Sequence, residues 1–128
     1  MSVYILVVDD EPDVEALFRQ QFRRDLKSGR FTMEFAPSAP VALARAAEIK
    51  DPSLILILSD INMPGMSGLD LLRQIRDVHK LPPPAIVMIT AYNDEDNHRA
   101  SIQGGADDFL TKPVDFEILK QKIKTFES

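Results

Sequence analysis

The chain has 128 residues, 45% of them hydrophobic, so residues 1–128 are expected to form one domain with a single well-filled core. Its net charge of −5 argues against general binding to nucleic acid or to an anionic membrane, because both favour clustered Lys and Arg. The absence of cysteine excludes disulfides and thiolate metal sites. No apolar run reaches the roughly 18 residues of a membrane span, so a soluble cytoplasmic protein is expected.

Five short apolar runs alternate with segments of helical periodicity along the chain. The predicted strands are residues 3–8, about 32–36, 54–59, 84–90 and 107–111. Alternation of this kind is typical of βαβ units, and it predicts an α/β fold around a five-stranded parallel sheet.

Five helices are predicted between and after these strands. The first follows Pro12 and ends at Ser28-Gly29, because glycine is common just past the end of a helix. The other four are expected to begin near Ser38, Ser67, Asp94 and Asp115. Strands and helices then fill the chain and leave no room for a second domain.

The reactive side chains fall where the apolar runs end. They are Asp9, Asp10, Asp60, Thr90 and Lys112. If the runs are parallel strands, these groups lie along one edge of the sheet, where open α/β sheets bind their ligands. Converging carboxylates raise one another's pKa values, which a bound divalent cation relieves, and Mg²⁺ prefers oxygen ligands. The pattern therefore predicts that a metal and a phosphoryl group meet at this edge.

Four motifs stand at these positions. They are Asp9-Asp10-Glu11-Pro12, residues 60–70 (DINMPGMSGLD), Thr90-Ala91 and residues 105–113 (GADDFLTKP). In combination they closely resemble the receiver domain of bacterial two-component response regulators, of the chemotaxis-regulator type. The resemblance covers the chain from the first strand to the last helix. It implies a flavodoxin-like, doubly wound five-stranded parallel sheet of order 2-1-3-4-5 with five helices.

The resemblance also assigns roles to the acidic residues. It implies that Asp60 is the phosphoacceptor, whose carboxylate attacks the phosphorus of a phosphohistidine donor. Asp10 is then the direct Mg²⁺ ligand, Asp9 its partner through water, and Asn62 the residue whose backbone carbonyl completes the metal shell with Asp60.

Further roles fall on the last two strands. The resemblance implies that Lys112 and Thr90 contact the phosphoryl oxygens, and that Phe109, three residues before the lysine, is the switch aromatic. Tyr92 resembles the variable position that tunes access of water to the phosphoryl group. The two histidines, His79 and His98, are expected on the surface and not as phosphodonors.

The leading hypothesis is a phosphorylation-controlled switch rather than an enzyme. The expected partners are a sensor histidine kinase or phosphotransfer protein and a downstream effector or fused output domain, with no direct binding to nucleic acid or membrane. The signal is expected to leave through the fourth helix, fifth strand and last helix. Opposite charges there favour a phosphorylation-dependent homodimer: Asp94, Glu95, Asp96 and Arg99 against Lys120, Lys122 and Lys124.

Two other functions stay open. An Mg²⁺-dependent phosphatase with an aspartyl nucleophile needs a second aspartate two residues after the first, and Asn62 stands there. A phosphorylation-independent scaffold typically lacks the acceptor or the acid pair, and this chain keeps both. The sequence leaves open whether the domain acts alone or belongs to a longer protein.

Overall fold

The computed structural model describes residues 3–49, 54–63, 65–78, 84–91 and 94–127. Its strands are β1 (Val3–Val8), β2 (Phe31–Ala36), β3 (Leu54–Asp60), β4 (Ala85–Thr90) and β5 (Asp108–Thr111). Its helices are α1 (Asp13–Gln21), α2 (Arg23–Lys27), α3 (Ala39–Glu48), α4 (Gly68–Val78), α5 (Glu95–Gln103) and α6 (Phe116–Glu127). Within these ranges, no helix is both long and apolar enough to cross a bilayer.

The five strands form one parallel sheet in the order β2-β1-β3-β4-β5. Successive residues of β1 point to opposite faces, and both faces are buried. Ile5 and Val7 belong to a core shared with Phe18 of α1 and Leu119 of α6. Leu6 and Val8 belong to a second core, which includes Ala39 and Ala42 of α3 and Leu71, Leu72 and Ile75 of α4. The predicted α/β fold and strand order are confirmed.

The first predicted helix is two helices, so the described residues form six helical segments instead of five. The break lies at Phe22, where φ is −108° and ψ is 19°. Hydrogen bonds nevertheless continue across it, from Phe22 N to Phe18 O at 3.0 Å and from Leu26 N to Phe22 O at 2.9 Å. The Phe22 ring is 1% exposed and packs against Phe31 and Phe116, so the deviation occurs where a large ring is buried.

The other predicted helix starts are confirmed by side-chain caps. Ser67 and Asp70 cap each other at the start of α4: Asp70 N donates to Ser67 Oγ at 3.2 Å, and Ser67 N donates to the Asp70 carboxylate at 3.3 Å. Asp94 accepts a hydrogen bond from Asn97 N at 3.2 Å at the start of α5. The helices α3 and α6 are capped in the same way by Ser38 and Asp115.

Candidate functional site

Three carboxylates converge at the carboxyl edge of the sheet. Because β1 and β3 are neighbours and Val8 pairs with Ser59, the residues that follow them, Asp9 and Asp60, stand side by side. One oxygen from each of Asp9, Asp10 and Asp60 lies within 4.8 Å of the others. The predicted convergence of the three acids is therefore confirmed by the geometry.

Both carboxylate oxygens of Asp60 accept hydrogen bonds. Lys112 Nζ donates to Asp60 Oδ2 at 2.7 Å, and the backbone N–H of Asn62 donates to Asp60 Oδ1 at 3.2 Å. Lys112 is itself placed by its backbone, whose N–H donates to the carbonyl of Thr90 at 2.8 Å. Asp60 is only 3% exposed, so an ammonium and an amide hold a carboxylate that is almost fully buried.

The other two acids of the cluster lie in different environments. Asp10 is exposed, whereas Asp9 is half-buried and accepts a hydrogen bond from Glu11 N at 2.9 Å. Burial raises the pKa of Asp9, the Glu11 hydrogen bond offsets this in part, and the charge of Asp60 raises it again. A cation between these groups would remove the penalty. The donors are all oxygens, which is the ligand set that Mg²⁺ takes, so the residues present fit this ion.

Lys112 remains a cation at this edge. Burial of its ammonium opposes the charge, but the hydrogen bond to Asp60 and the charges of Asp60 and Asp9 outweigh this effect. The pKa of Lys112 therefore lies above its ordinary value. The site thus combines a positive charge next to Asp60 with two further carboxylates at the same edge.

Thr90 ends β4 beside the cluster, as predicted, but its hydroxyl does not point to Asp60. The side chain is fully buried, and Oγ1 donates to the carbonyl of Ala91 at 3.4 Å. A contact between Thr90 and a group on Asp60 would therefore require the hydroxyl to turn away from this carbonyl.

The loop from Asp60 to Gly68 folds back on the end of β3. Gly68 N donates to the carbonyl of Ile61 at 2.9 Å, and a Cβ at Gly68 would lie 2.2 Å from the carbonyl oxygen of Asp60. Only glycine allows this approach. Gly65 has a φ of +75° and no atom within 4 Å of a Cβ built there. Glycine is favoured at this position only because of the backbone angle. Glycine at these two positions therefore shapes the loop, while Pro64 lies outside the described residues.

His98 is half-buried, so the expectation that it lies on the surface holds only in part. Its ring stacks on Phe109 with centroids 4.5 Å apart and planes 23° from parallel. Its Nε2 is buried and has no hydrogen-bond partner in the part of the chain that the structure describes. The signal was missed because α5 is mostly polar and lacks the apolar stripe that identifies a buried face. His79 and Tyr92 lie outside the described residues.

The charges expected to pair across a two-fold axis are largely paired within the chain. Arg99 contacts Asp96 at 2.8 Å, and Lys122 contacts Asp108. Lys120 lies on the opposite side of α6, with its ammonium 5.5 Å from the centre of the Phe22 ring. Lys120 and Lys122 therefore have different neighbours within the chain, and the expected homodimer stays a prediction.

A groove of about 510 Å³ opens beside the carboxylates. Its lining includes the charged residues Asp9, Glu11 and Lys112 and the apolar Leu17 of α1. Leu17 is 45% exposed. The groove joins the exposed face of α1 to Asp9 and Lys112, the neighbours of Asp60.

Comparison with known proteins identifies one family across most of the chain. A family model described as the response regulator receiver domain matches residues 5–124. The response regulator protein PilR of Pseudomonas aeruginosa is 37% identical over 120 residues, which are 94% of this chain and 25% of PilR. The chain thus spans a quarter of the length of that relative.

Solved structures show the same similarity. The receiver domain of Ssk1 from Saccharomyces cerevisiae, crystallised with the histidine phosphotransfer protein Ypd1, matches with a TM-score of 0.83 and 27% identity, covering 98% of this chain and 88% of that chain. The chemotaxis protein CheY4 of Vibrio cholerae matches in fold with a TM-score of 0.81 and 24% identity, covering 98% of this chain and 99% of that chain.

Proposed function

Since the chain belongs to the family of response regulator receiver domains, we propose that it is the phosphoacceptor switch of a two-component phosphorelay, with Asp60 as the acceptor. The observation that carries the proposal is the environment of Asp60. One carboxylate oxygen is held by Lys112 at 2.7 Å, and two other carboxylates lie within 4.8 Å. Phosphoryl transfer needs mainly positioning and charge neutralisation, and these groups supply both.

The proposed reaction is a direct displacement on phosphorus. A carboxylate oxygen of Asp60 attacks the phosphorus of a phosphohistidine, the new P–O bond forms, and the P–N bond breaks. The electron pair of that bond returns to the donor imidazole, which then takes up a proton. Lys112 would stay beside the acceptor and neutralise one phosphoryl oxygen, because its raised pKa keeps it charged.

The acid cluster would hold Mg²⁺. Asp10 and Asp60 would bind it directly, Asp9 through water, and Asn62 through its backbone carbonyl, since the Asn62 backbone already lies against Asp60. When bound, the ion would supply positive charge to the phosphoryl oxygens in addition to that of Lys112. The raised pKa of Asp9 supports a cation site, because the carboxylate is disfavoured as long as no positive charge lies between the acids.

The phosphodonor is proposed to dock over α1. The groove that begins at Asp9 and Lys112 continues to the exposed Leu17, so one partner could fill it and present a phosphohistidine to Asp60. A sensor histidine kinase or a phosphotransfer protein fits this role, and the similar Ssk1 receiver domain was crystallised with a histidine phosphotransfer protein. We place the whole domain, residues 1–128, in the cytoplasm, where such a kinase presents its phosphohistidine.

The output is proposed to leave through the surface made by α5, β5 and α6. Phosphorylation adds up to about two negative charges at Asp60, and a bistable element must respond for a partner to detect them. Thr90 leads into α5, and Phe109 lies on β5 next to that helix. A downstream effector, a fused output domain or a second copy of the chain would bind this surface; direct binding of nucleic acid or membrane is not proposed.

The alternative functions are less well supported. The family is not one of conventional enzymes, and Asn62 cannot supply the acid–base group that an aspartyl phosphatase needs. A scaffold that binds partners without phosphorylation would have no need for Lys112 beside Asp60 or for the two further acids.

Phosphorylation by a small donor tests the proposal. Incubation with acetyl phosphate and Mg²⁺ should add one phosphoryl group to the intact mass, and EDTA should prevent the addition. An unmodified protein in Mg²⁺, with a known receiver domain modified in parallel, would favour the scaffold. Continuous release of phosphate from small phosphate esters would favour the phosphatase.

A further inference from the structure

The imidazole of His98 and the ring of Phe109 join α5 to the sheet next to the candidate phosphorylation site. The rings stack at 4.5 Å, and Phe109 packs against the core cluster that contains Met88. In the register of β4 and β5, Phe109 pairs with Met88, and two residues further on Thr111 pairs with Thr90. The stacked rings therefore lie close along the sheet to the hydroxyl that would meet a phosphoryl group.

A short chain of hydrogen bonds leads from Thr90 to His98. Thr90 Oγ1 donates to the carbonyl of Ala91 at 3.4 Å, and Asp94 N donates to the same carbonyl at 3.3 Å. The carbonyl of Asp94 then accepts from His98 N at 3.1 Å. Because one carbonyl serves both Thr90 and the start of α5, a turn of the Thr90 hydroxyl toward Asp60 alters the support of the first turn of α5, which carries His98.

His98 makes two opposing contributions to the free energy of this arrangement. Stacking of its ring on Phe109 is favourable. Burial of Nε2 is unfavourable, because this nitrogen has no partner among residues 3–49, 54–63, 65–78, 84–91 and 94–127. The favourable stacking energy is thus partly offset by the cost of the buried nitrogen. A contact with such a small net free energy can break when the structure nearby changes slightly.

We infer that His98 is a positioning residue that holds Phe109 in the arrangement of this structure, and that separation of the two rings carries the signal from Asp60 to the outer surface of α5. The inference rests on the proposed function. When Thr90 turns toward a phosphoryl group on Asp60, the Ala91 carbonyl keeps Asp94 N but loses the Thr90 donor, so the first turn of α5 can shift, His98 Nε2 reaches water, and Phe109 is released from the stack.

Two substitutions of His98 should act in opposite directions. His98→Phe keeps a flat ring on Phe109 and removes the buried nitrogen, so it should stabilise the present arrangement. His98→Ala removes the stack and should free Phe109. A variant that stabilises one state lowers the apparent affinity of a ligand that prefers the other. Beryllofluoride with Mg²⁺, a phosphoryl mimic, is such a ligand for the proposed activated state.

The test is a beryllofluoride titration followed by NMR of the Phe109 ring and the α5 amides. Compared with the wild type, His98→Ala should bind about two- to tenfold more tightly, the range that one aromatic pair supplies, and His98→Phe should bind more weakly. Gln103→Ala, an exposed change on the same helix, should match the wild type.

The outcomes separate the two proposals. Equal affinities in all variants, or shifts of both His98 variants in the same direction, would overturn the role of His98, because a merely structural residue changes stability and not the balance of states. A wild type that neither binds beryllofluoride nor accepts a phosphoryl group would overturn the proposed function itself.

Discussion

The ammonium of Lys112 lies 2.7 Å from Asp60 although the two residues are 52 positions apart in the chain. Parallel strands bring them together, because β3 and β5 flank β4 and end at the same edge of the sheet. The pair places a positive charge against Asp60, and Asp9 and Asp10 supply two further carboxylates at the same edge. Cation binding and anion binding at this site should therefore depend on different residues.

Substitutions of Asp10 and Lys112 should separate these two functions. Asp10→Ala removes a proposed Mg²⁺ ligand, so the affinity for Mg²⁺ should fall by about tenfold or more and phosphorylation should fall with it. Lys112→Ala removes a neighbouring positive charge, so Mg²⁺ should bind at least as tightly while phosphorylation by acetyl phosphate is impaired. Calorimetric titration with Mg²⁺ measures the first effect.

Lys120→Ala serves as the control for loss of a lysine, because Lys120 lies over Phe22 and away from the acids. It should leave Mg²⁺ affinity unchanged. A Lys112→Ala protein that no longer binds Mg²⁺ would contradict the assignment.

Neutralising Asp9 should stabilise the metal-free protein. Burial raises the pKa of Asp9 in the folded state, so folding favours the protonated form. The resulting penalty is absent at pH values below the ordinary pKa of 3.8, grows as the pH rises through the raised pKa, and is complete at neutral pH. Because Asp9 is partly solvated, Asp9→Asn should raise the free energy of unfolding at pH 7 in EDTA by only about 0.5–1 kcal/mol.

The extra stability of Asp9→Asn over the wild type should shrink toward pH 3. It should also vanish when Mg²⁺ is added to the wild type at neutral pH. Urea unfolding at several pH values measures it. A stabilisation that is largest at low pH would show that the sign of the Asp9 contribution is wrong.

Two glycines of the loop after Asp60 should respond differently to alanine. Gly68→Ala places a Cβ 2.2 Å from a backbone oxygen, so the loop or β3 must shift, and the free energy of unfolding should fall by about 1–3 kcal/mol together with slower phosphorylation. Gly65→Ala meets no atom within 4 Å and incurs only the left-handed backbone penalty of about 1 kcal/mol. Chemical denaturation compares them, and equal losses would contradict the steric explanation.

Arg76 should be the main polar support for the far end of α5. Its guanidinium donates to Pro84 O at 2.8 Å, Gly105 O at 2.9 Å and Asp107 Oδ2 at 3.0 Å. Arg76→Met keeps much of the packing but removes these bonds, so the free energy of unfolding should fall by about 1–3 kcal/mol.

Amide exchange near Gly105 should accelerate in the same variant. Arg73 lies on α4 with Arg76 and serves as the control. Arg73→Met removes a largely exposed ion pair with Asp70 and should change the free energy of unfolding by less than about 0.5 kcal/mol. Similar losses in the two variants would mean that the Arg76 contacts do not support this region.

The sequence predicted the acid cluster because strand direction alone determines which ends meet. Asp9, Asp60 and Lys112 each follow an apolar run, and in a parallel sheet those positions share an edge. Features that depend on contacts between distant side chains were missed. The contact of Arg76 with Gly105 spans 29 positions, and no periodicity indicates it.

His98 and Phe22 were missed for related reasons. The polar composition of α5 gives no indication that one of its faces covers Phe109. The break at Phe22 follows from the burial of its ring between Phe31 and Phe116, which belong to other elements, while the local pattern is that of one continuous helix.

The intact mass of the Asp60→Asn variant tests the central claim most directly. After incubation with acetyl phosphate and Mg²⁺, the wild type should gain one phosphoryl group and Asp60→Asn should gain none, while both bind Mg²⁺ through Asp9 and Asp10. A stable phosphoryl group on Asp60→Asn, or a wild type that stays unmodified in Mg²⁺, would contradict the assignment of Asp60 as the phosphoacceptor.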